Sequence, residues 1–120
     1  MGAIRREDVP VSIQTDDAEV RIAEVGEMAA AFFTLKQGAD FGPALAGLRD
    51  DMCQCPHWGY VIKGKIKMKT KSGDEFYEAG QAFYWPPGHS PSAMEDTEYI
   101  DFSPKKDFAA VIRHITGDAG

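Results

Sequence analysis

Lys65-Ile66-Lys67-Met68-Lys69-Thr70-Lys71, followed by Ser72-Gly73-Asp74, is the stretch that decides the fold. Lysines at every second position alternate with Ile66, Met68 and Thr70. A period of two is the signature of a β-strand with one wet face and one inward face. The lysine row is read as a solvated face that also discourages edge-to-edge association. Ser72-Gly73-Asp74 supplies a hairpin turn, and residues 75–78 run back along the first strand.

Working outward, the same grammar repeats. Ala79-Gly80 turns, and residues 81–85 form a strand that Pro86-Pro87-Gly88 stops. Residues 89–94 and 97–102 give two further strands around the polar turn Glu95-Asp96. Upstream, residues 53–64 read as extended chain. Val9, Val11 and Ile13 alternate with polar neighbours over residues 9–15, and Val20, Ile22 and Val25 continue the theme to the turn at Gly26. Residues 29–35 suit a strand, although their alanines also suit a helix. Pro43 fits the first position of a short helix through Leu48. Phe108, Val111, Ile112 and Ile115 recur at helical spacing and predict a helix over residues 107–115, packed across the mouth or the outer face of the β-structure. Eight or nine strands and a C-terminal helix make an all-β jelly-roll barrel, one domain spanning residues 1–120.

A chain of 120 residues supports one hydrophobic core. Its formal net charge of −6 offers no basic footprint, so neither nucleic acid nor an anionic membrane surface is an expected partner. No apolar run is long enough to span a bilayer. The first 17 residues carry Arg5, Arg6, Glu7, Asp8, Asp16 and Asp17 and lack the apolar core of a secretory signal, which points to the cytoplasm. Cys53 and Cys55 are too few and too close for a disulfide framework and read as thiols.

The residues able to carry chemistry gather in the centre of the chain. If residues 53–58 are extended, Cys53, Cys55 and His57 share one face, away from Met52, Gln54, Pro56 and Trp58. Thiolate and imidazole are the usual ligands of zinc and also suit iron and copper. His89, directly after the Pro-Pro-Gly turn, is a fourth candidate. The C-x-C-x-H spacing is not a usual zinc-ribbon spacing. A different chemistry is a Cys55 thiolate activated by His57, for which no oxyanion hole is apparent. His114 falls in the C-terminal helix, where exposure without a role is expected. Asp50-Asp51 and Glu95-Asp96 fall in turns and read as solvated. The aromatics of residues 58–85 read as interior or inter-subunit filling, with a share left to line an apolar pocket.

Two of these segments resemble a known family. Pro56-His57-Trp58-Gly59-Tyr60-Val61-Ile62-Lys63-Gly64-Lys65 resembles the end of the first cupin motif, where an acidic ligand precedes a Tyr-Val-Leu-x-Gly run. Gly80-Gln81-Ala82-Phe83-Tyr84-Trp85-Pro86-Pro87-Gly88-His89 is similar to the second motif, a glycine followed after five residues by Pro-x-Gly. More narrowly, the chain looks like small bacterial cupin-domain proteins sharing Cys-Pro-His-Trp-Gly-Tyr and Pro-Pro-Gly-His, a group without a defined activity. Cupins usually bind one metal through His-x-His, an acidic residue and a second-motif histidine. Counted back from Tyr60, the acidic position holds His57, and the two histidine positions fall near Asp51 and Cys53. The last histidine position falls on Pro91, two residues after His89 and of the same strand parity.

The resemblance therefore implies a rewired centre: one divalent transition metal, zinc first and iron or copper next, on His57, His89 and Cys55, with Cys53 as a fourth ligand. Tyr60 and Tyr84 are the candidate substrate contacts, and the partner is a small molecule. The sequence leaves the reaction, and whether there is one, open. The alternative is a metal-free module that binds a small molecule without catalysis. A homodimer is also expected, with the strand at residues 9–15 as the natural donor, since its apolar side needs cover.

Overall fold

A computed structural model describes residues 2–117 of the chain. Nine strands form: β1 (Val11–Gln14), β2 (Ala18–Val25), β3 (Met28–Leu35), β4 (His57–Lys63), β5 (Lys65–Thr70), β6 (Gly73–Glu78), β7 (Ala82–Trp85), β8 (His89–Ala93) and β9 (Thr97–Pro104). Two helices join them, α1 (Gly42–Leu45) and α2 (Lys105–Thr116). The strands make a six-stranded sheet in the order β1-β2-β3-β9-β4-β7 and a three-stranded sheet in the order β6-β5-β8. The jelly roll and its C-terminal helix are as expected, but the barrel is not closed. Among the described residues no ladder joins the two sheets. The change of sheet between β7 and β8 runs through Pro86 and Pro87, which have no N–H to give a ladder. The free edge of β8 is met only by isolated bridges, Asp40 to Ser92 and Cys53 to His89.

The deciding hairpin folds as its pattern dictates. In β5, Ile66 and Met68 are buried while Lys67 and Lys69 face water. Lys67 lies 3.6 Å from Asp74 across the hairpin, and Lys71 pairs with Asp50 at 2.8 Å. Residues 28–35 are strand, not helix, because β3 is hydrogen-bonded on both sides, by β2 and by β9. Ladder bonds and burial outweigh the helical preference of three alanines.

The first helix is shorter than expected. It ends at Leu45, because Gly47 adopts a φ of 97° that no helix continues through. Asp50 and Asp51 also take left-handed φ values, 58° and 56°. Helix α2 runs slightly longer than its apolar spacing suggested, and Gly117 closes it in the left-handed conformation at φ 74°. Its buried residues, Phe108 and Val111, pack over one end of the space between the sheets. Exposed His114 has a structural role: its Nε2–H donates to the Ala46 carbonyl at 2.7 Å, tying α2 to the segment after α1. Strand β1 finds cover within the chain by pairing with β2. Val9 is buried and Ile13 packs on the core, while Val11 stays exposed.

Candidate metal centre

Three segments converge on one point between the sheets. His57 opens β4, His89 opens β8, and Cys53 sits in the irregular chain between α1 and β4. The backbone fixes Cys53: its N–H donates to the His89 carbonyl at 2.8 Å, and its own carbonyl accepts from Gly88 N–H at 2.8 Å. Gly88 turns there at φ 96°, a conformation that costs glycine little. The ligand atoms of Cys53, His57 and His89 lie within 4.8 Å of one another, and all three residues are buried. Cys53 Sγ stands 3.5 Å from His57 Nε2.

The other nitrogen of each imidazole is occupied. His89 Nδ1–H donates to the Pro86 carbonyl at 2.7 Å, a bond only this tautomer can make. Its Nε2 therefore keeps a lone pair. His57 Nδ1 lies 2.5 Å from Ser103 Oγ and 3.6 Å from Asp101 Oδ2, so its Nε2 is the atom left facing Cys53.

Burial keeps the group uncharged. It lowers His57 to about 3, helped by neighbouring His89, and lowers His89 as well. It pushes the Cys53 thiol up to about 11 and the Cys55 thiol up to about 12. The Asp101 carboxyl is raised well above the usual carboxylate range by the same desolvation. A thiol and two imidazoles with free lone pairs form a donor set that a divalent cation completes. Ligand atoms around a tetrahedral zinc stand roughly 3.3–3.6 Å apart, from the usual zinc–ligand lengths. The Cys53–His57 pair already has that spacing, and the widest pair of the group needs at most about 1.2–1.5 Å of contraction.

The four expected ligands do not all meet. Cys55 is buried, but its sulfur is not among the grouped atoms and instead lies 3.5 Å from the Pro56 carbonyl. Residues 53–56 bend and β4 begins only at His57, so although Cys53, Cys55 and His57 are all buried as expected, the Cys55 sulfur does not join the other ligand atoms. It is Cys53, not Cys55, that stands against His57. A thiol so raised beside an imidazole so lowered is a neutral pair, unlike the exposed, electropositive settings of reactive cysteines.

Tyr60 and Tyr84 stand about half exposed on the outer face of the six-stranded sheet. Tyr60 lies on the opposite side of β4 from His57. Tyr84 lines an open cleft of about 570 Å³ that also reaches Trp85 and His89. A smaller cavity of about 40 Å³ touches Cys53, His57 and His89 directly, with Phe33, Tyr99 and α2 residues Phe108 and Val111 among its walls. Asp101 and Ser103 are site neighbours that the sequence reading passed over. Both are polar residues on the buried parity of β9, where Thr97 and Tyr99 also point inward. That shared parity with Tyr99 was the available signal.

The two sheets of the jelly roll thus enclose a buried histidine–cysteine cluster that could hold a metal ion. No family model matches the chain, and no curated protein matches it by sequence. Solved structures do match in fold. An RmlC-like cupin from Shewanella frigidimarina is 18% identical with a TM-score of 0.64, over 88% of this chain and 93% of its own. KdgF from Halomonas sp. is 20% identical with a TM-score of 0.62, over 88% and 96%. Ectoine synthase from P. lautus is 12% identical with a TM-score of 0.63, over 87% and 78%. The chain has the cupin fold.

Proposed function

We propose that this cupin-fold protein holds one divalent transition metal, zinc first, on Cys53 Sγ, His57 Nε2 and His89 Nε2, and presents it to a small molecule. One observation carries the reading: three ligand atoms from three separate segments meet within 4.8 Å in a buried place. Three protein ligands with a position left open is the arrangement of catalytic rather than structural zinc sites. There the metal would supply Lewis acidity or an activated water. The ligand set departs from the usual histidine-rich cupin centre, and a thiolate favours zinc, or copper, over the iron of oxygenases. Tyr84 is retained as a substrate contact because its cleft reaches His89. Thiols left free suit a reducing, cytoplasmic setting.

Elemental analysis of protein purified without a metal-binding tag tests this, beside His57→Ala. About one equivalent of zinc, iron or copper, lost in the variant, is the expected result. Absence of metal in the unaltered protein, even after reconstitution under reducing conditions, sinks the reading. Attention then passes to a metal-free module, which the apolar walls of the cavity favour. Against it, about 40 Å³ is far below the roughly 300 Å³ at which ligand pockets begin.

The chain is further proposed to pair with a second copy. Tyr84, Trp58 and Phe102 form one outward row across β7, β4 and β9, and Tyr60 faces Ile100 in the next. With Ile62 they leave a contiguous apolar face of the kind that marks interaction surfaces. Light scattering that returns only the mass of one chain removes this proposal.

A further inference from the structure

We infer that Asp101, with Ser103, is the positioning pair that aims His57 at the metal; this rests on the metal reading above. His57 precedes Trp58, which faces Phe102 in the β4–β9 ladder, so Ser103 is its neighbour across the ladder. Ser103 Oγ lies 2.5 Å from His57 Nδ1, and Asp101 Oδ2 lies 3.6 Å from the same nitrogen. Ser103 Oγ is placed to accept from Nδ1–H, with Asp101 Oδ2 just beyond hydrogen-bond reach behind it, and that tautomer leaves the Nε2 lone pair on the side of Cys53. The Pro86 carbonyl does the same for His89. The two imidazoles are thus set in the same tautomer by different means, one by backbone and one by side chains.

Asp101 has no comparable service to the fold. It is 1% exposed, and its Oδ1 has no hydrogen-bond partner among the described residues. A buried carboxyl with an unpartnered oxygen weakens a fold. It lines the cavity that touches the three ligand residues. Gly59 faces Asp101 across the ladder, and a Cβ on Gly59 would sit 2.9 Å from Asp101 Cα. Carboxyl groups behind metal-bound imidazoles fix their orientation.

Titration with Co²⁺, followed by its visible ligand-field bands and thiolate charge transfer, tests the assignment. The proteins are the unaltered chain, Asp101→Ala, Asp101→Asn and Ser103→Ala, each checked by thermal unfolding without metal. Asp101→Ala is expected to lose about 10- to 100-fold in Co²⁺ affinity, with shifted ligand-field bands and a metal-free melting temperature that does not fall. Asp101→Asn, which keeps an acceptor oxygen in place, is expected to recover most of the affinity, and Ser103→Ala to lose an intermediate amount. An Asp101→Ala affinity within twofold of the unaltered chain overturns the inference, as does a metal-free melting temperature that falls in step with affinity. Co²⁺ that fails to bind the unaltered chain overturns the metal reading itself, an outcome distinct from either.

Discussion

Strand β4 sends His57, Gly59 and Val61 to one side and Trp58, Tyr60 and Ile62 to the other. The two sides invert the usual expectation. The inward side holds a histidine, with Asp101 and Ser103 beside it on β9, all buried. The outward side holds three large apolar or aromatic residues, 44%, 46% and 53% exposed. Hydrophobicity alone would have turned the strand over. What fixes its direction is the rest of the sheet: Val61 and Tyr99 face each other in the ladder and enter the core together. A one-residue slip would exchange every side chain between faces, so this register is set by the whole inner surface and not by β4. Buried polar groups and an exposed apolar face fit the proposed metal site and the proposed pairing surface.

The largest effect should come from the inward position with no side chain. A Cβ on Gly59 would stand 2.2 Å from the Ile100 carbonyl oxygen and 2.5 Å from Phe83 Cζ. The first of these is backbone and cannot swing aside. Gly59→Ala is therefore expected to cost about 3 kcal/mol or more in urea unfolding. A cost under about 1 kcal/mol would mean that β4 and β9 are less tightly apposed than the inner face implies. Next is Val61→Ala on the same face, where no part of the side chain reaches water. Loss of two buried methyl groups plus an unfilled space predicts about 2 kcal/mol.

Acid should act on the inner face as a third probe. His57 is lowered to about 3 and His89 is lowered too, both from 6.5. Below pH 6.5 the unfolded chain takes up protons that the metal-free folded chain refuses, so stability falls as pH falls. Asp101 works the other way. Its raised carboxyl keeps a proton that the unfolded chain loses above about 4, which favours the folded state as pH falls toward that value. Two lowered imidazoles outnumber the one raised carboxyl, so the net expectation is a loss of stability as pH falls from 6.5 toward 5. Urea midpoints in metal-free buffer measure this, and His57→Gln should flatten the slope. A flat profile in the unaltered chain would mean that water reaches the imidazoles.

The strands were legible because period two survives wherever one face is wet, as the lysines of β5 show. Helix α2 was legible from its apolar spacing. That the two sheets stay unjoined was not, since sequence periodicity carries no account of which edges pair. Within the site, His57 and His89 were found because imidazole is conspicuous beside turn signals. Grouping Cys55 with them assumed an extended chain through Pro56; the bend there leaves Cys55 buried on the inner side but its sulfur outside the close ligand group. Asp101 and Ser103 were passed over because polar residues alternating with Ile100 and Phe102 look like the wet side of a strand. On β9 the polar side is the buried one. Local pattern cannot reveal that reversal, because its cause lies on other strands.

The smallest effect on the fold should come from the outward residues, and it sharpens the contrast most. Ile62 is next to Val61 in the chain yet has more than half its surface in water. Ile62→Ser and Tyr60→Ser remove area that the single chain hardly buries, so each should alter monomer stability by about 0.5 kcal/mol or less. Tyr84→Ala loses slightly more, about 0.5–1 kcal/mol, because its ring stacks on Trp58 at 5.1 Å. Association is where these residues should matter. In light scattering over a dilution series, the double variant Tyr60→Ser, Ile62→Ser should hold the mass of one chain at concentrations where the unaltered protein holds two. A double variant that still pairs would move the interface elsewhere, with β1 at the sheet edge as the next place to look. If Tyr60→Ser instead cost the isolated chain as much as Val61→Ala, both faces would be working for the fold alike. The outward aromatics would then be a second core surface rather than a place kept for a partner.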